Sequence, residues 1–386
     1  MEDITQITIQ LIGSEVCQNS VSLPADIFFT EKNLVEILIL SKKHGLAHIV
    51  ASALLKKGLL NNSPQKDLFL KELYSAVYSQ EKIKAVFDRV CLLLEENEVE
   101  FIPLKGAVIR ELYPQPWMRS SCDIDILIKE ENIKTTVDFL VESAGFQLKS
   151  ESNHDVVLIS KEGICLELHF KLIGNEKSSL YSNILKNVWK SAEPVCKGSF
   201  RYKFSDDIFY YYHILHMAKH FKIGGCGLRP FVDLWLINHS EKYDLSKSCS
   251  MLKNSKVADF EYYAKKLSEV WFSGKEHDDV TLAMQNFVVD GGTFGSEKTR
   301  AFANRSREGG KFRYLLSRIF VPYSYLKSEY EIIEKYPFLT PICEICRICS
   351  ILFGKKKKLK KKQFESLKGT LSNDSYDNEL FKILGL

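Results

Sequence analysis

Apolar residues recur at helical spacing along the first part of the chain. Leu34, Ile37 and Leu38 open one such stripe, and the same spacing continues through residues 65–97. Side chains three and four positions apart share one face of a helix. The pattern therefore predicts an N-terminal helical region over residues 1–95.

Short β-rich segments replace this pattern between residues 96 and 180. The predicted strands lie at residues 99–104, 122–128, 146–149, 155–160 and 164–170. Helical segments follow the first two strands, and Lys161-Glu162-Gly163 is typical of a hairpin turn between the last two. This order predicts a small mixed sheet with helices on one face.

Helical spacing returns over residues 181–354, which we predict to be a C-terminal helical domain. Within it, the Gly-rich segment 291–300 is predicted to be a loop. Residues 355–386 form a lysine-rich tail. Together these regions predict an α+β fold, in which a small mixed β-sheet core over residues 96–180 is flanked by N-terminal and C-terminal helical regions.

The positive charge of the chain is concentrated at one place. Its 53 Lys and Arg residues exceed its 49 Asp and Glu residues by four, but seven lysines lie in the run from Lys355 to Lys362. Removing these seven charges from the net charge of +4 leaves −3, so no stable nucleic-acid partner is expected. The run itself fits either a weak contact with an anionic surface or a solvated charged segment.

Nothing in the sequence indicates targeting to a membrane. The first ten residues lack the layout of a signal peptide, and no run reaches the ~18 apolar residues of a membrane span. The ten cysteines are then expected to be reduced thiols in a cytoplasmic protein. Cys343, Cys346 and Cys349 stand at helical spacing among apolar residues, which favours small buried cysteines over ligands of a metal cluster.

An Asp-x-Asp pattern in the second predicted strand carries the candidate chemistry. Asp123 and Asp125 alternate with apolar residues, so both carboxylates should lie on one face of the sheet. Two adjacent anions repel each other, and a divalent cation such as Mg²⁺, which prefers oxygen ligands, would relieve that repulsion. Taken alone, the pair fits an acidic solvent-exposed strand equally well.

Residues before this strand favour the metal interpretation. Lys105 and Gly106 end the first strand, where a cation and backbone N–H groups would hold a phosphate. Arg110 and Arg119 add charged donors that suit a triphosphate. Surface ion pairs are the alternative interpretation of each arginine.

The last predicted strand adds a third acid. Glu167 lies between Leu166 and Leu168, which point to the opposite face. If this strand pairs beside the Asp-x-Asp strand, Glu167 reaches the same cations. His169 shares the face of Glu167, where it tunes the carboxylate, contacts substrate or is an ordinary strand histidine.

The order of these motifs resembles the nucleotidyltransferase superfamily with the DNA-polymerase-β-type fold. More narrowly, it is similar to bacterial, uncharacterised nucleotidyltransferases that have Leu-Lys-Gly, an Arg before Asp-Ile-Asp, and Leu-Glu-Leu-His. Here these are residues 104–106, Arg119 with residues 123–125, and residues 166–169. A His-rich helix followed by Leu-Arg-x-x-x-Asp-Leu, residues 228–234, also matches. The lysine departs from the superfamily, which commonly has a small residue there.

The resemblance implies transfer of NMP from an NTP to an unknown acceptor by a two-metal mechanism with Mg²⁺ or Mn²⁺. The implied catalytic and metal-binding carboxylates are Asp123, Asp125 and Glu167. The implied nucleotide-binding residues are Lys105, Gly106, Arg110, Arg119, His169, His216, Arg229 and Asp233. The alternatives are a catalytically silent nucleotide-binding or scaffold protein and a toxin–antitoxin-like modifier that transfers NMP to a protein.

Histidines on one predicted helix leave two interpretations open. His213, His216 and His220 are spaced three and four residues apart, so they share a face. With Arg229 and Asp233 they fit a wall of the active-site cleft that contacts metal or base. With the tyrosines before them they fit a half-buried aromatic helix, which is the interpretation we favour.

Overall fold

The computed structural model describes residues 4–17, 28–172, 185–246, 248–253 and 255–307, and further on residues 323, 326–327, 330, 332–353 and 379–386. The described α-helices are α1 (Ile4–Val16), α2 (Glu31–Lys43), α3 (Ala47–Lys56), α4 (Lys66–Glu96), α5 (Gly106–Ile109), α6 (Ile133–Glu142), α7 (Asp206–Lys222), α8 (Arg229–His239), α9 (Ser248–Lys253), α10 (Ala258–Ser273), α11 (Asp279–Gly291), α12 (Glu297–Arg307), α13 (Ile332–Lys335), α14 (Thr340–Phe353) and α15 (Glu379–Ile383). Short 3₁₀ helices lie at Arg110–Leu112, Pro116–Met118, Glu130–Asn132, Leu185–Lys190 and Pro337–Leu339.

Five strands form the central sheet, in the spatial order β1-β2-β5-β4-β3. They are β1 (Phe101–Pro103), β2 (Asp123–Ile128), β3 (Gln147–Glu151), β4 (Asp155–Ile159) and β5 (Cys165–His169). β2 and β5 are parallel, whereas the other neighbours are antiparallel. A separate two-stranded sheet pairs β6 (Glu193–Pro194) with β7 (Tyr202–Lys203).

One face of the central sheet is covered by α4 and α6. Ile124 and Ile126 of β2 are buried there against Val86 and Val90 of α4 and Leu140 of α6, in one apolar cluster. The alternation of β2 turns every second residue into this cluster, which leaves the acidic residues on the other face. The packing therefore fixes which face of the sheet carries the polar site.

A larger core joins helices from both ends of the chain. Ile12 of α1, Val50 of α3, Phe221 of α7 and Phe260 of α10 belong to one buried cluster. Phe69 near the start of α4 is buried in this cluster, whereas the second half of α4 covers the sheet. The 31-residue α4 thus links the helical core and the sheet over a length of about 46 Å.

Capping residues define several helix ends. The side chain of Thr30 accepts a hydrogen bond from the backbone N–H of Asn33 at the start of α2. Asp278 and Thr281 form a reciprocal capping box before α11. Gly274 ends α10 with a positive φ of 71°, which a residue without a Cβ atom adopts readily.

The structure confirms the predicted fold class. It is an α+β protein with a small mixed five-stranded sheet between helical regions, and the strand–helix order of the core matches the sequence pattern. The hairpin at residues 161–163 joins antiparallel β4 and β5 as predicted. None of the described helices has both the length and the apolar character needed to cross a membrane.

Two local predictions are wrong. The segment predicted as a loop at residues 291–300 is a loop only from Gly292 to Ser296, because α11 ends at Gly291 and α12 begins at Glu297. α14 is helical as predicted, but Cys346 and Cys349 are exposed and only Cys343 is buried. The spacing showed that the three cysteines lie near one another on a helix, but not which side of it faces the protein. The lysine run from residue 355 to 362 lies outside the described residues.

Candidate active site

Parallel strands bring the acidic residues of the sheet together. In the β2–β5 pair, Asp123 lies opposite Cys165 and Asp125 lies opposite Glu167. Since residues two apart on a strand share a face, the side chains of Asp123, Asp125, Glu167 and His169 all emerge on the face away from α4 and α6. Residues 42 positions apart thus meet through strand register.

Asp125 is buried, with an exposed fraction of 7%. Its Oδ1 accepts a hydrogen bond from Nζ of Lys105 at 2.9 Å and another from Nε2 of His169 at 2.8 Å. Because an ionised carboxylate only accepts, Nε2 of His169 carries the shared proton. The same Nε2 lies 3.6 Å from Oε2 of Glu167, so the imidazole stands between two acids.

The three carboxyl groups differ in their pKa values. Burial would raise the pKa of Asp125, but the Lys105 ammonium and His169 outweigh it and hold that pKa well below its usual range. Burial and repulsion from Asp125 raise the pKa of both Asp123 and Glu167. This spread is expected where several acids share one cation.

The donor set fits a hard divalent cation. Donor atoms of Asp125, Glu167 and His169 lie within 4.8 Å of one another. Oδ2 of Asp125 accepts no hydrogen bond from the residues that the structure describes. Asp123 lies on the same sheet face but outside this group of atoms. Carboxylate oxygens are the ligands that Mg²⁺ and Mn²⁺ prefer, so Asp125 and Glu167 could hold such an ion, with Asp123 as a third candidate on the same face.

A tight turn after β1 carries Lys105 and Gly106. The backbone N–H of Ala107 donates to the carbonyl of Leu104 at 3.2 Å and closes this turn. Gly106 begins a helix of only four residues, so the helix terminus adds little to anion binding. A Cβ atom built on Gly106 would lie 3.6 Å from Nη1 of Arg119, which shows that a guanidinium borders the glycine.

Three arginines are grouped beside the start of β2. Burial and the charges of Arg119 and Arg229 lower the pKa of Arg110 to about 10, and burial and Arg119 lower that of Arg229. Nη2 of Arg110 donates to Oγ of Ser121, and Nη1 of Arg229 donates to the carbonyl of Ser120, both at 2.8 Å. Nε of Arg229 is buried without a hydrogen-bond partner in the described part of the chain. This excess of positive charge suits a phosphate group.

Arg119 and Asp233 form a buried ion pair. Nε of Arg119 donates to Oδ1 of Asp233 at 2.8 Å, and the hydroxyl of Tyr113 donates to the same oxygen at 2.7 Å. Burial would lower the pKa of Arg119, but Asp233 raises it. The pair ties the segment before β2 to α8. That Arg119 and Asp233 contact a nucleotide stays a prediction.

Helix α7 lies near the carboxylate face. Burial, with Asp125 and Glu167, raises the pKa of the Tyr212 hydroxyl, and Lys105 opposes this shift. Burial and the charge of Lys105 hold the pKa of His216 well below its usual range. These shared charges place Tyr212 and His216 beside the acidic group.

The three histidines of α7 have different surroundings. Nε2 of His216 and Nε2 of His220 are 3.2 Å apart. Burial and Lys105 lower the pKa of His220 to about 4, so both rings are neutral near pH 7 and one donates to the other. His213 is buried close to Asp233, and its Nε2 lacks a hydrogen-bond partner within the described ranges. The helix is largely buried and aromatic, which is the interpretation that we favoured from the sequence. Its half-buried His216 faces the site.

Sequence reasoning missed four residues that the structure places here. Ser120 and Ser121 accept hydrogen bonds from the arginines, Tyr113 donates to Asp233, and Tyr212 lies beside the acids. The two serines lie between Arg119 and Cys122, one residue before the Asp-x-Asp motif, which is a signal that could have identified them. No local pattern indicates Tyr113, and the sequence pattern includes Tyr212 only as one of the tyrosines of the predicted aromatic helix.

The fold and site define an α+β protein whose sheet presents clustered carboxylates beside a lysine and a group of arginines. The family model described as uncharacterised nucleotidyltransferase matches residues 30–273, more than half of the chain. The chain therefore belongs to this family of uncharacterised nucleotidyltransferases. The match extends from α2 to the end of α10 and includes every residue of the candidate site. No curated protein matches the chain.

Proposed function

We propose that the protein transfers a nucleoside monophosphate from an NTP to an acceptor hydroxyl or phosphate with the help of a divalent cation. The observation that carries this proposal is the parallel pairing of β2 and β5, which puts Asp125 opposite Glu167 on the face shared with Asp123. Membership of the family supports nucleotidyl transfer as the general reaction. The motif order supports the DNA-polymerase-β-type superfamily as the wider group.

The proposed reaction is an in-line displacement at the α-phosphorus. An oxygen of the acceptor forms a bond to that phosphorus, the bond between the α-phosphorus and its bridging oxygen breaks, and pyrophosphate leaves. A bound divalent cation would stabilise the charge that develops on the phosphoryl oxygens. The rest of the barrier reduction comes from positioning and fixed charges of the protein.

The charged side chains have different roles in this reaction. Asp123, Asp125 and Glu167 would hold the cation. For a hydroxyl acceptor, Glu167 also accepts the proton, because its pKa is raised and its side chain, 29% exposed, is open to substrate. Arg110 and Arg229 bind the triphosphate and stabilise the departing pyrophosphate, since their charges are not balanced by an equal number of acids.

A catalytically silent nucleotide-binding protein is less well supported. Such a protein needs cations for the triphosphate, but it does not need a third carboxylate with a raised pKa. Glu167 adds repulsion to the group of acids, and it is half-buried beside His169. An arrangement that costs stability at a site is typical of a functional role.

Titration calorimetry tests the binding part of the proposal. Each NTP, as a non-hydrolysable analogue with Mn²⁺, is titrated into the parent protein, Asp125→Asn and Asp138→Asn. Asp138 is an exposed acid of α6 and serves as the matched control. We expect one or more analogues to bind the parent and Asp138→Asn equally and to bind Asp125→Asn at least tenfold more weakly. Equal binding by Asp125→Asn would show that the site is assigned wrongly.

A labelling experiment separates the classes of acceptor. The protein is incubated with α-labelled NTP and a cell lysate, and the products are divided into macromolecules and small molecules. A labelled protein band supports the modifier that acts on proteins, whereas label in a small molecule supports a small-molecule acceptor. Release of pyrophosphate without any labelled product would contradict transfer to an acceptor.

A further inference from the structure

Lys105 has an unusual backbone conformation for a lysine. Its φ is 45° and its ψ is −112°, and the described residues contain one other non-glycine residue with positive φ, Glu98. With the closing hydrogen bond between Leu104 and Ala107, these angles match the first central position of a type II′ turn. Glycine is the residue that this position favours. The turn therefore holds a lysine at a backbone position that strains any residue with a Cβ atom.

The strained turn delivers the ammonium to the acids. Nζ of Lys105 lies 2.9 Å from Oδ1 of Asp125, and the two side chains are 24% and 7% exposed. The same Oδ1 accepts a hydrogen bond from His169 at 2.8 Å. One oxygen of Asp125 is thus fully engaged by protein donors, and Oδ2 is the oxygen that is left for a ligand.

Counting charges limits what else the site can hold. Asp123, Asp125 and Glu167 contribute three negative charges, and the ammonium of Lys105 balances one of them. One divalent cation balances the remaining two. A second divalent cation would leave these four groups with a net charge of about +2 before nucleotide binds, which like-charge repulsion disfavours.

The hydrogen bonds of Asp125 also argue against a second divalent ion. In a two-cation site, a carboxylate between the ions offers one oxygen to each of them. Here Oδ1 of Asp125 already binds Lys105 and His169. A second ion at this oxygen would therefore have to compete with the ammonium of Lys105.

We propose that the ammonium of Lys105 takes the place of one cation, so that each chain binds a single divalent ion at this site. The inference rests on the proposed function and replaces the two ions expected from the resemblance with one ion and one lysine. Lys105 is then a positioning residue, which orients Asp125 and contributes a fixed positive charge next to the triphosphate.

Equilibrium dialysis measures this stoichiometry directly. Protein is dialysed against excess Mn²⁺ and a non-hydrolysable NTP analogue, and bound manganese and bound nucleotide are both quantified. We expect a ratio of one manganese per nucleotide in the parent protein and of two in Lys105→Gly. Glycine removes the ammonium and gives the turn the residue that it favours, so the variant should fold. Lys105→Met, which keeps the length of the side chain without its charge, should also give two.

Glu98→Gly is the matched control, because it relieves the other positive-φ position without touching the acids. It should give a ratio of one. A ratio of two in the parent protein would overturn the inference and leave the proposed function intact. A ratio of one in both lysine variants would also overturn it. If the parent protein bound neither manganese nor nucleotide, the proposed function itself would fail, and the inference would fail with it.

Discussion

Two ion pairs of the candidate site each contain a buried carboxylate. Arg119 and Asp233 are 8% and 1% exposed and 2.8 Å apart, whereas Lys105 and Asp125 are 24% and 7% exposed and 2.9 Å apart. Both pairs join a cation from the segment between β1 and β2 to a carboxylate elsewhere in the chain. Their lengths are nearly equal, but their surroundings are not.

The surroundings decide what each pair can do. Asp233 accepts from Arg119 and from the Tyr113 hydroxyl, so its oxygen has the donors that a buried anion needs. Near Asp125 lie two further acids, Asp123 and Glu167, and burial and repulsion from Asp125 raise the pKa values of both. The first pair is a closed structural link. The Lys105–Asp125 pair, in contrast, belongs to a group of three carboxylates and one ammonium. The net negative charge of this group favours binding of a cation.

The largest effect is expected from breaking the closed pair. Asp233→Asn removes the negative charge and leaves the guanidinium of Arg119 buried without a counter-ion. We expect the free energy of unfolding to fall by about 3–5 kcal/mol, the usual result of removing one partner of a buried pair. Urea denaturation followed by circular dichroism measures it. Asp138→Asn should leave the midpoint unchanged, and a loss below ~1 kcal/mol for Asp233→Asn would mean that the pair is not closed.

A smaller loss of stability is expected at the Lys105–Asp125 pair, which we call the open pair. Asp125→Asn deprives Lys105 of its nearest carboxylate, but it also relieves the repulsion that acts on Asp123 and Glu167. The two effects partly cancel, so we expect a loss of about 1–3 kcal/mol in metal-free buffer. The same urea titrations measure it. If Asp125→Asn were as damaging as Asp233→Asn, the two pairs would be equivalent.

Local patterns predicted the open pair better than the closed one. Alternation along residues 122–128 showed which face Asp123 and Asp125 share, because strand geometry has a period of two. Glu167 joined them once its strand was assumed to pair with theirs, and the register confirms that contact. A pattern of this kind constrains residues within one element or between neighbouring strands.

The contact of Arg119 with Asp233 has no such constraint. The two residues are 114 positions apart on a loop and a helix, and only the packing of the helical core brings them together. The same limit explains the exposed Cys346 and Cys349. In α14, Glu344 and Arg347 are only 7% and 5% exposed, so the helix turns a charged pair inward and two of its three cysteines outward, against the apolar pattern.

Asp123→Asn should increase stability while it weakens metal binding. The pKa of Asp123 is raised in the folded protein by burial and by Asp125. The folded state therefore binds this proton more tightly than the unfolded state does. The associated stability is complete below the unfolded pKa of about 3.9 and is lost as the pH rises through the folded pKa.

Asp123→Asn removes the carboxylate, so the variant does not lose this stability as the pH rises. We expect a gain of roughly 0.5–2 kcal/mol at neutral pH in metal-free buffer. The gain should shrink as the pH is lowered toward 4, which urea titrations at several pH values would show. In the presence of Mn²⁺ the order should reverse, because the parent protein is stabilised by the bound ion and the variant much less. A variant that is less stable than the parent in metal-free buffer would contradict the view that the acids repel one another.

The ion pair of Arg89 and Glu162 is exposed but well aligned, and we expect it to contribute the least to stability of the three ion pairs. Nη1 and Nη2 of Arg89 donate to Oε1 and Oε2 of Glu162 at 2.9 and 3.1 Å, and the hydrogen bonds from Arg89 lower the pKa of Glu162 to about 2. The two side chains are 37% and 35% exposed, so water and salt screen the attraction. We expect Glu162→Gln to cost less than ~1 kcal/mol, and less still in 1 M salt. A loss as large as that of Asp125→Asn would mean that hydrogen-bond geometry, rather than burial and the number of neighbouring acids, ranks the ion pairs of this protein.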